Sequence, residues 1–331
     1  MKKGLTAAVL FIACTQLAIA AGAGEAAAGW LEEAITSGRL VSASLRYEHG
    51  EPSSPRPSPA ASAEVILTQH TIVSPSPSPT PEPKPATIRG ELELDNATSS
   101  EIDPEALLAG GLSLRLADSG PQILIMHTHG TESYTAEPGW EYEESDYART
   151  TDCGYNMIRV GDELAAAFEE QGLRVIHDKG LYDYPSYTGS YTRSGAAVED
   201  YLAQYPDISI VIDLHRDAIG SGDVVYKTMA EIPNQSSAQI MLLVGTGENG
   251  LSHPKWQENL KLALLMQERA AGKYPTLMRP LAIRKERYNQ QLTTGSLIIE
   301  VGSNGNTLAE AITAVRLFAE AVSPALLELN D

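Results

Sequence analysis

The sequence predicts an α/β domain, a mostly parallel sheet with helices on both faces. Three observations predict it. From about residue 87 onward, short apolar runs alternate with segments of helical period. The runs are continuously apolar, as strands covered on both faces must be. No internal repeat is present.

Each element has its own signal. Ile123-Leu124-Ile125-Met126 is a buried strand. Met157, Val160, Leu164 and Phe168 recur on one helical face, and that helix stops at Gly172. Further strands are expected at Leu173–Ile176, Ile208–Leu214, Ile240–Val244 and Ser296–Val301, with a helix from about Pro254 to Ala271. Thr307-Leu308-Ala309-Glu310 has the capping-box spacing and opens a last helix, with Leu308, Ile312, Val315 and Ala319 on one face.

Before this domain the texture is different. Met1-Lys2-Lys3 precedes an apolar run from Leu5 to Ala23, of roughly 19 residues against the ~20 that span a bilayer. Residues 1–24 are therefore expected to be a signal peptide or membrane anchor. Ala18-Ile19-Ala20 offers a cleavage site, so both forms stay open. Residues 25–86 read as an extracytoplasmic tether, with X-Pro repeats at 51–60 and 74–85 that exclude helix and central strand and favour polyproline II. At ~3.1 Å per residue, the stretch 51–85 reaches on the order of 100 Å when extended. Residues 87–331 are the catalytic domain on this reading. The expected location is the cell membrane, with one span and the domain outside the cytoplasm, or secreted if the signal is cleaved.

Charge narrows the function classes. With 24 Lys and Arg against 43 Asp and Glu, the net charge is −19. Nucleic-acid binding and docking on anionic lipid both need the opposite sign, so neither is expected. The two cysteines, Cys14 and Cys153, lie in unlike surroundings, and neither a disulfide framework nor a thiolate metal site is expected.

Ligands of open α/β sheets bind beyond the carboxyl ends of strands. Three expected strand ends carry polar residues that strand building does not require: His127-Thr128-His129-Gly130-Thr131-Glu132, Asp213-Leu214-His215-Arg216-Asp217, and Glu300-Val301-Gly302-Ser303-Asn304. Histidines and carboxylates on one rim suit zinc where thiolates are absent. Each piece has a plainer reading: two hydrogen-bonded histidines, a structural His215, or Glu300 in an ion pair with an arginine. Glu300 interrupts an apolar strand, so desolvation should raise its pKa, while a nearby zinc would oppose that rise.

The segment Ile123-Leu124-Ile125-Met126-His127-Thr128-His129-Gly130-Thr131-Glu132-Ser133-Tyr134 resembles the signature of the stage II sporulation protein P family. The resemblance continues through Asn156–Leu164, Ile176-His177-Asp178, Asp183–Tyr187, Ser190–Ser194, Asp213–Ala218 and Glu300–Thr307. It implies a membrane-anchored enzyme of endospore formers that degrades peptidoglycan during septal thinning and forespore engulfment. It implies cleavage of the amide between N-acetylmuramic acid and L-alanine, with peptide cross-links also cut by some members. Stage II sporulation proteins D and M are the implied partners, and the implied fold is that of zinc N-acetylmuramoyl-L-alanine amidases. By the same resemblance, His129 and His215 are zinc ligands, His127 is a supporting residue or an alternative ligand, and Glu300 is the catalytic acid–base. No glutamate stands where those amidases place their third ligand. Glu132 is the first choice and Asp152 the second. Arg216, Tyr187 and Tyr191 are candidates for holding substrate, the tyrosines on a loop at 182–191. Another zinc hydrolase, such as a carboxypeptidase or deacetylase, and a non-catalytic glycan-binding scaffold are the competing readings.

Overall fold

The computed structural model describes residues 92–221 and 224–330. The expected signal or anchor, the tether and the first residues of the domain lie outside the described residues. Among the described residues no helix is long and apolar enough to cross a membrane.

The domain begins with edge strand β1 (Leu94–Asn96) and helix α1 (Pro104–Ala109), capped by Asp103 with proline at its start. Then follow β2 (Ile123–Met126), α2 (Met157–Glu170), β3 (Val175–His177), α3 (Ser190–Gln204) and β4 (Ile210–Asp217). Two small two-stranded pieces come next, β5 (Gly220–Ser221) with β6 (Val224–Val225), and β7 (Met229–Ile232) with β8 (Gln235–Ala238). The chain closes with β9 (Ile240–Gly245), α4 (Trp256–Lys273), β10 (Leu281–Arg284), β11 (Ser296–Ser303) and α5 (Leu308–Leu327).

Seven strands form one sheet in the order β1-β10-β9-β11-β4-β2-β3. All neighbours are parallel except β9 and β11, which run antiparallel with Ile298 opposite Leu243. The sheet is mostly parallel, as the apolar strands require. The strand expected at Leu173–Ile176 is shifted to Val175–His177.

Alternation along the strands decides which side chains meet which helices. Ile123, Ile125, Ile210, Ile212, Leu214, Leu297, Ile299 and Val301 join residues of α2, α4 and α5 in the main core. The other face is covered less completely. Leu124, Met126 and Val211 pack on Val198 of α3, and Met241, Leu243, Ala282 and Ile298 pack beside Tyr288. By the same alternation, Asp213 and His215 share the face of Val211, and Glu300 shares the face of Ile298. The polar residues therefore stand on the thinly covered face, beside α3 and the Tyr288 loop.

Candidate active site

Register brings the three polar strand ends together. β11 pairs with β4 so that Glu300 lies opposite His215, and β2 pairs with β4 so that Met126 lies opposite Asp213. The chain leaving β2 is tied to β4 at once: Thr128 donates to Asp213 from its backbone N–H at 2.7 Å and from its hydroxyl at 2.6 Å. It then turns so that the Glu132 N–H donates to the His129 carbonyl at 3.1 Å. Gly130 makes this turn possible, because a β-carbon there would lie 2.9 Å from Leu181 Cδ2 and 3.1 Å from the Gly180 carbonyl.

Within the cleft, His215 Nδ1 is 3.5 Å from Glu132 Oε2, and the rings of His129 and His215 meet edge to face at 5.3 Å between centroids. Tyr187 stacks flat on His129, with centroids 4.4 Å apart and 11° between planes, and Tyr191 meets the same ring edge-on at 5.7 Å. His129, Glu132 and His215 are 6%, 5% and 4% exposed. At such burial an unpartnered polar atom costs about 1–3 kcal/mol. Three atoms in this cleft have no hydrogen-bond partner: His129 Nδ1, His215 Nε2 and Glu300 Oε2. His215 Nε2 lies 2.9 Å from Asp213 Oδ1, close enough for an ion pair but not aligned for a hydrogen bond.

The charges are well defined. Burial draws the pKa of His129 down to about 3, so its ring is neutral with a lone pair to offer. Burial also opposes charge on His215, but Asp213 and Glu132 outweigh it and push its pKa well up. Burial works against the Glu132 carboxylate, yet Arg216, His215 and Arg149 hold it far below the usual carboxylate range. Glu300 goes the other way. Burial pushes it up to about 8, against the pull of His215.

Among the described residues, no group of three or more His, Cys, Asp or Glu side chains is arranged to close on a metal ion. The donor chemistry of His129, Glu132 and His215 nonetheless fits zinc once His215 gives up its proton: one neutral imidazole with an unpartnered Nδ1, one ionised carboxylate and a second imidazole beside them. As they stand, the Glu132 oxygens are shared with Arg149 at 3.3 Å, the Arg216 backbone N–H at 3.3 Å and His215.

Four other candidates take these places. Asp152 is exposed in the turn before α2, and its Oδ1 accepts from the Gly154 N–H at 2.9 Å. His127 turns away from the cleft, with Nδ1 2.9 Å from the Leu214 carbonyl and Nε2 2.8 Å from His177 Nε2. Strand alternation does not apply to it, because β2 ends at Met126. Arg216 is buried and directs its guanidinium to the carbonyls of Ser133 and Ala148, at 3.0 and 2.9 Å, so it braces the 133–148 loop rather than facing a ligand. Tyr191 sits in the first turn of α3 rather than on a loop.

The sequence model of a family described as Stage II sporulation protein P (SpoIIP) matches residues 60–323, which include every residue of the cleft. The chain belongs to this family. Stage II sporulation protein P of Bacillus subtilis (strain 168) is 31% identical over 216 residues, 61% of this chain and 50% of that protein, so the chain spans about half the length of this relative. Among solved structures, an N-acetylmuramoyl-L-alanine amidase from Clostridium difficile 630 is 14% identical, covering 63% of this chain and 97% of its own, with a TM-score of 0.38. An N-acetylmuramyl-L-alanine amidase from Mycobacterium smegmatis is 12% identical, covering 65% and 98%, with a TM-score of 0.37. Scores this low carry no functional argument.

In this member of the stage II sporulation protein P family, sequence reading missed three residues at the cleft. Asp213 anchors Thr128 and stands beside His215. Arg149 lies over the Tyr187 ring at 5.0 Å and pairs with both Glu132 and Asp183. Asp183 accepts from the Thr131 hydroxyl at 2.6 Å. Asp213 had a usable signal, a carboxylate inside an apolar strand. Asp183 opened a segment that carries the family resemblance but had no signal of its own, and Arg149 had none, since both lie in polar loops.

Proposed function

We propose that this chain is a peptidoglycan hydrolase of sporulation, a zinc-dependent amidase that cuts between N-acetylmuramic acid and L-alanine. The observation that carries this reading is the approach of Glu300 to His215 across adjacent strands, with unpartnered atoms of Glu300, His215 and His129 in one cleft. On this reading His129, Glu132 and His215 hold the zinc, with Arg149 and Arg216 keeping Glu132 ionised. Bound zinc supplies Lewis-acid polarisation of the amide carbonyl and acidification of water. Glu300 accepts the proton of the attacking water and returns it to the leaving amine. Its raised proton affinity suits both halves of that exchange. Asp213 orients His215, and Tyr187 and Tyr191 form the wall against which substrate lies. The membrane segment at 1–24, the tether and the partner proteins D and M of stage II sporulation complete the proposal. They place the reaction at the septal wall and leave cross-link cleavage as a further activity.

Metal analysis and muropeptide mass spectrometry test it together. About one zinc per chain is expected, together with glycan strands freed of intact stem peptides. Products cut only within the peptides would replace the amidase with an endopeptidase. Full hydrolysis by a protein stripped of zinc would remove the metal from the reading.

A further inference from the structure

Behind the cleft a hydrogen-bonded chain links three strands to α2. It runs from the Leu214 carbonyl to His127 Nδ1 at 2.9 Å, from His127 Nε2 to His177 Nε2 at 2.8 Å, and from His177 Nδ1 to Asp162 Oδ1 at 3.0 Å. The two rings fit together only because position 161 of α2 is glycine, since a side-chain carbon there would collide with both Nε2 atoms.

Proton counting gives this chain a property its geometry alone does not show. Both ends, a carbonyl and a carboxylate, can only accept. Three links therefore need three N–H groups, and two neutral imidazoles bring two. A third proton must be bound for every link to be made. His127 is fully buried and faces a neutral carbonyl, whereas His177 faces the Asp162 carboxylate, so the third proton belongs to His177.

We propose that His177, carrying both ring protons and held by Asp162, is a positioning residue. Through His127 it clasps the Leu214 carbonyl and so fixes the strand ends that bear His129 and His215. The functional consequence rests on the cleft being the active site; the clasp itself does not. The charged and titratable groups facing His177 are Asp162 from α2, His127 from the end of β2, and Asp178 and Lys179 from its own segment. Asp213 and His215 face His127, the next ring in the chain. Burial and Lys179 draw its proton affinity down, while Asp162 and Asp178 hold it up. The net direction is below the ordinary imidazole value, so the clasp is complete only on the acid side of that value and loses one link as pH rises.

Long-range ¹H–¹⁵N spectra of the histidine rings in the full chain, from pH 8 down to the acid limit of the folded state, test this. As pH falls, His177 should gain its second ring proton, and His127 should show the Nδ1–H tautomer at every pH. The carbonyl ¹³C signal of Leu214 should move with the His177 midpoint. Asp162→Asn removes the anion facing the ring and should lower that midpoint by about 1 to 3 pH units. His177→Gln should abolish the pH response at Leu214. A His177 that keeps a single N–H across the whole folded range, an Nε2–H tautomer of His127, or a Leu214 signal indifferent to the midpoint would each overturn the clasp. Asp162 is partly exposed, so its variant remains informative if His177→Gln fails to fold. Positioning is read separately on muropeptides: Asp162→Asn should lower kcat severalfold with KM unchanged. If the ring spectra behave as stated and kcat does not respond, the clasp stands and its role in positioning is refuted.

Discussion

At the scale of single residues, Glu300 separates a catalyst from a metal-binding scaffold. Glu300→Gln keeps shape and hydrogen bonding but cannot take a proton. Amide cleavage should fall by roughly 10²–10⁴ while zinc content and fold are kept. Loss of zinc in this variant would make Glu300 a ligand instead. Its proton affinity has a second, independent signature. The pKa is about 8 in the folded chain against an ordinary 4.5, so between those values the native state holds a proton that the unfolded chain has released. By linkage, stability of the metal-free protein must fall as pH rises through that window, by at most about 1.4 kcal/mol per unit. His215, with its pKa pushed up, adds a loss of the same sign above pH 6.5. The measure is therefore the difference between wild type and Glu300→Gln in denaturant melts at pH 5 and pH 8. Equal slopes would mean that Glu300 is solvated and unperturbed. Sequence made Glu300, His215 and His129 legible because polar residues at apolar strand ends stand out. It left His127 as a supporting residue or an alternative ligand, because the choice depends on where β2 stops. Nor could it assign Arg216, whose partners are backbone carbonyls of a distant loop.

At the scale of elements, the start of α5 shows how a short motif becomes tertiary structure. Both halves of the capping box form: the Thr307 hydroxyl accepts from the Glu310 N–H at 3.2 Å, and Glu310 Oε2 accepts from the Thr307 N–H at 3.1 Å. Glu310 does more than cap. It also accepts from Lys227 at 2.7 Å, Ser236 at 3.2 Å and Asn306 at 2.9 Å, joining the β7–β8 hairpin to the helix. Thr307→Ala should therefore cost about 1 kcal/mol, the usual worth of a cap. Glu310→Ala should cost on the order of 3 kcal/mol, because it leaves Lys227 without its carboxylate and removes an acceptor from Ser236 and Asn306. Urea unfolding reads both, and equal losses would show that Glu310 acts only as a cap. The capping box was legible because it is local and has fixed spacing. Helix α3 was not, since only Ser190, Ser194 and Val198 of its fifteen residues are buried and no apolar stripe marks it. The main-core helices α2 and α5 carry full stripes, and sequence found both.

At the scale of the whole molecule, the proposed tether sets where hydrolysis can occur. The order of the sheet was beyond sequence reading, because the antiparallel junction between β9 and β11 joins strands separated by α4 and β10. The division into an apolar start, a Pro-Ser stretch and a domain is read from composition alone, and so it calls for a test in cells. On the proposed reading, alternating X-Pro units at 74–85 would keep the chain extended, and the 51–85 stretch would span on the order of 100 Å at ~3.1 Å per residue. If residues 1–24 anchor the chain, that length bounds the layer of wall the cleft can reach. Deleting 51–85 should then leave the turnover of soluble muropeptides unchanged and sharply lower hydrolysis of the septal wall in cells. Replacing the stretch with a Pro-rich segment of equal length and unrelated sequence should restore it, because reach rather than sequence is what matters. Fractionation supplies the other arm. The full chain should sediment with membranes, and a chain beginning after residue 24 should not. A processed, wholly soluble form beginning near Ala21 would refute the anchor and leave a secreted enzyme, for which the deletion of 51–85 should have no effect on the wall.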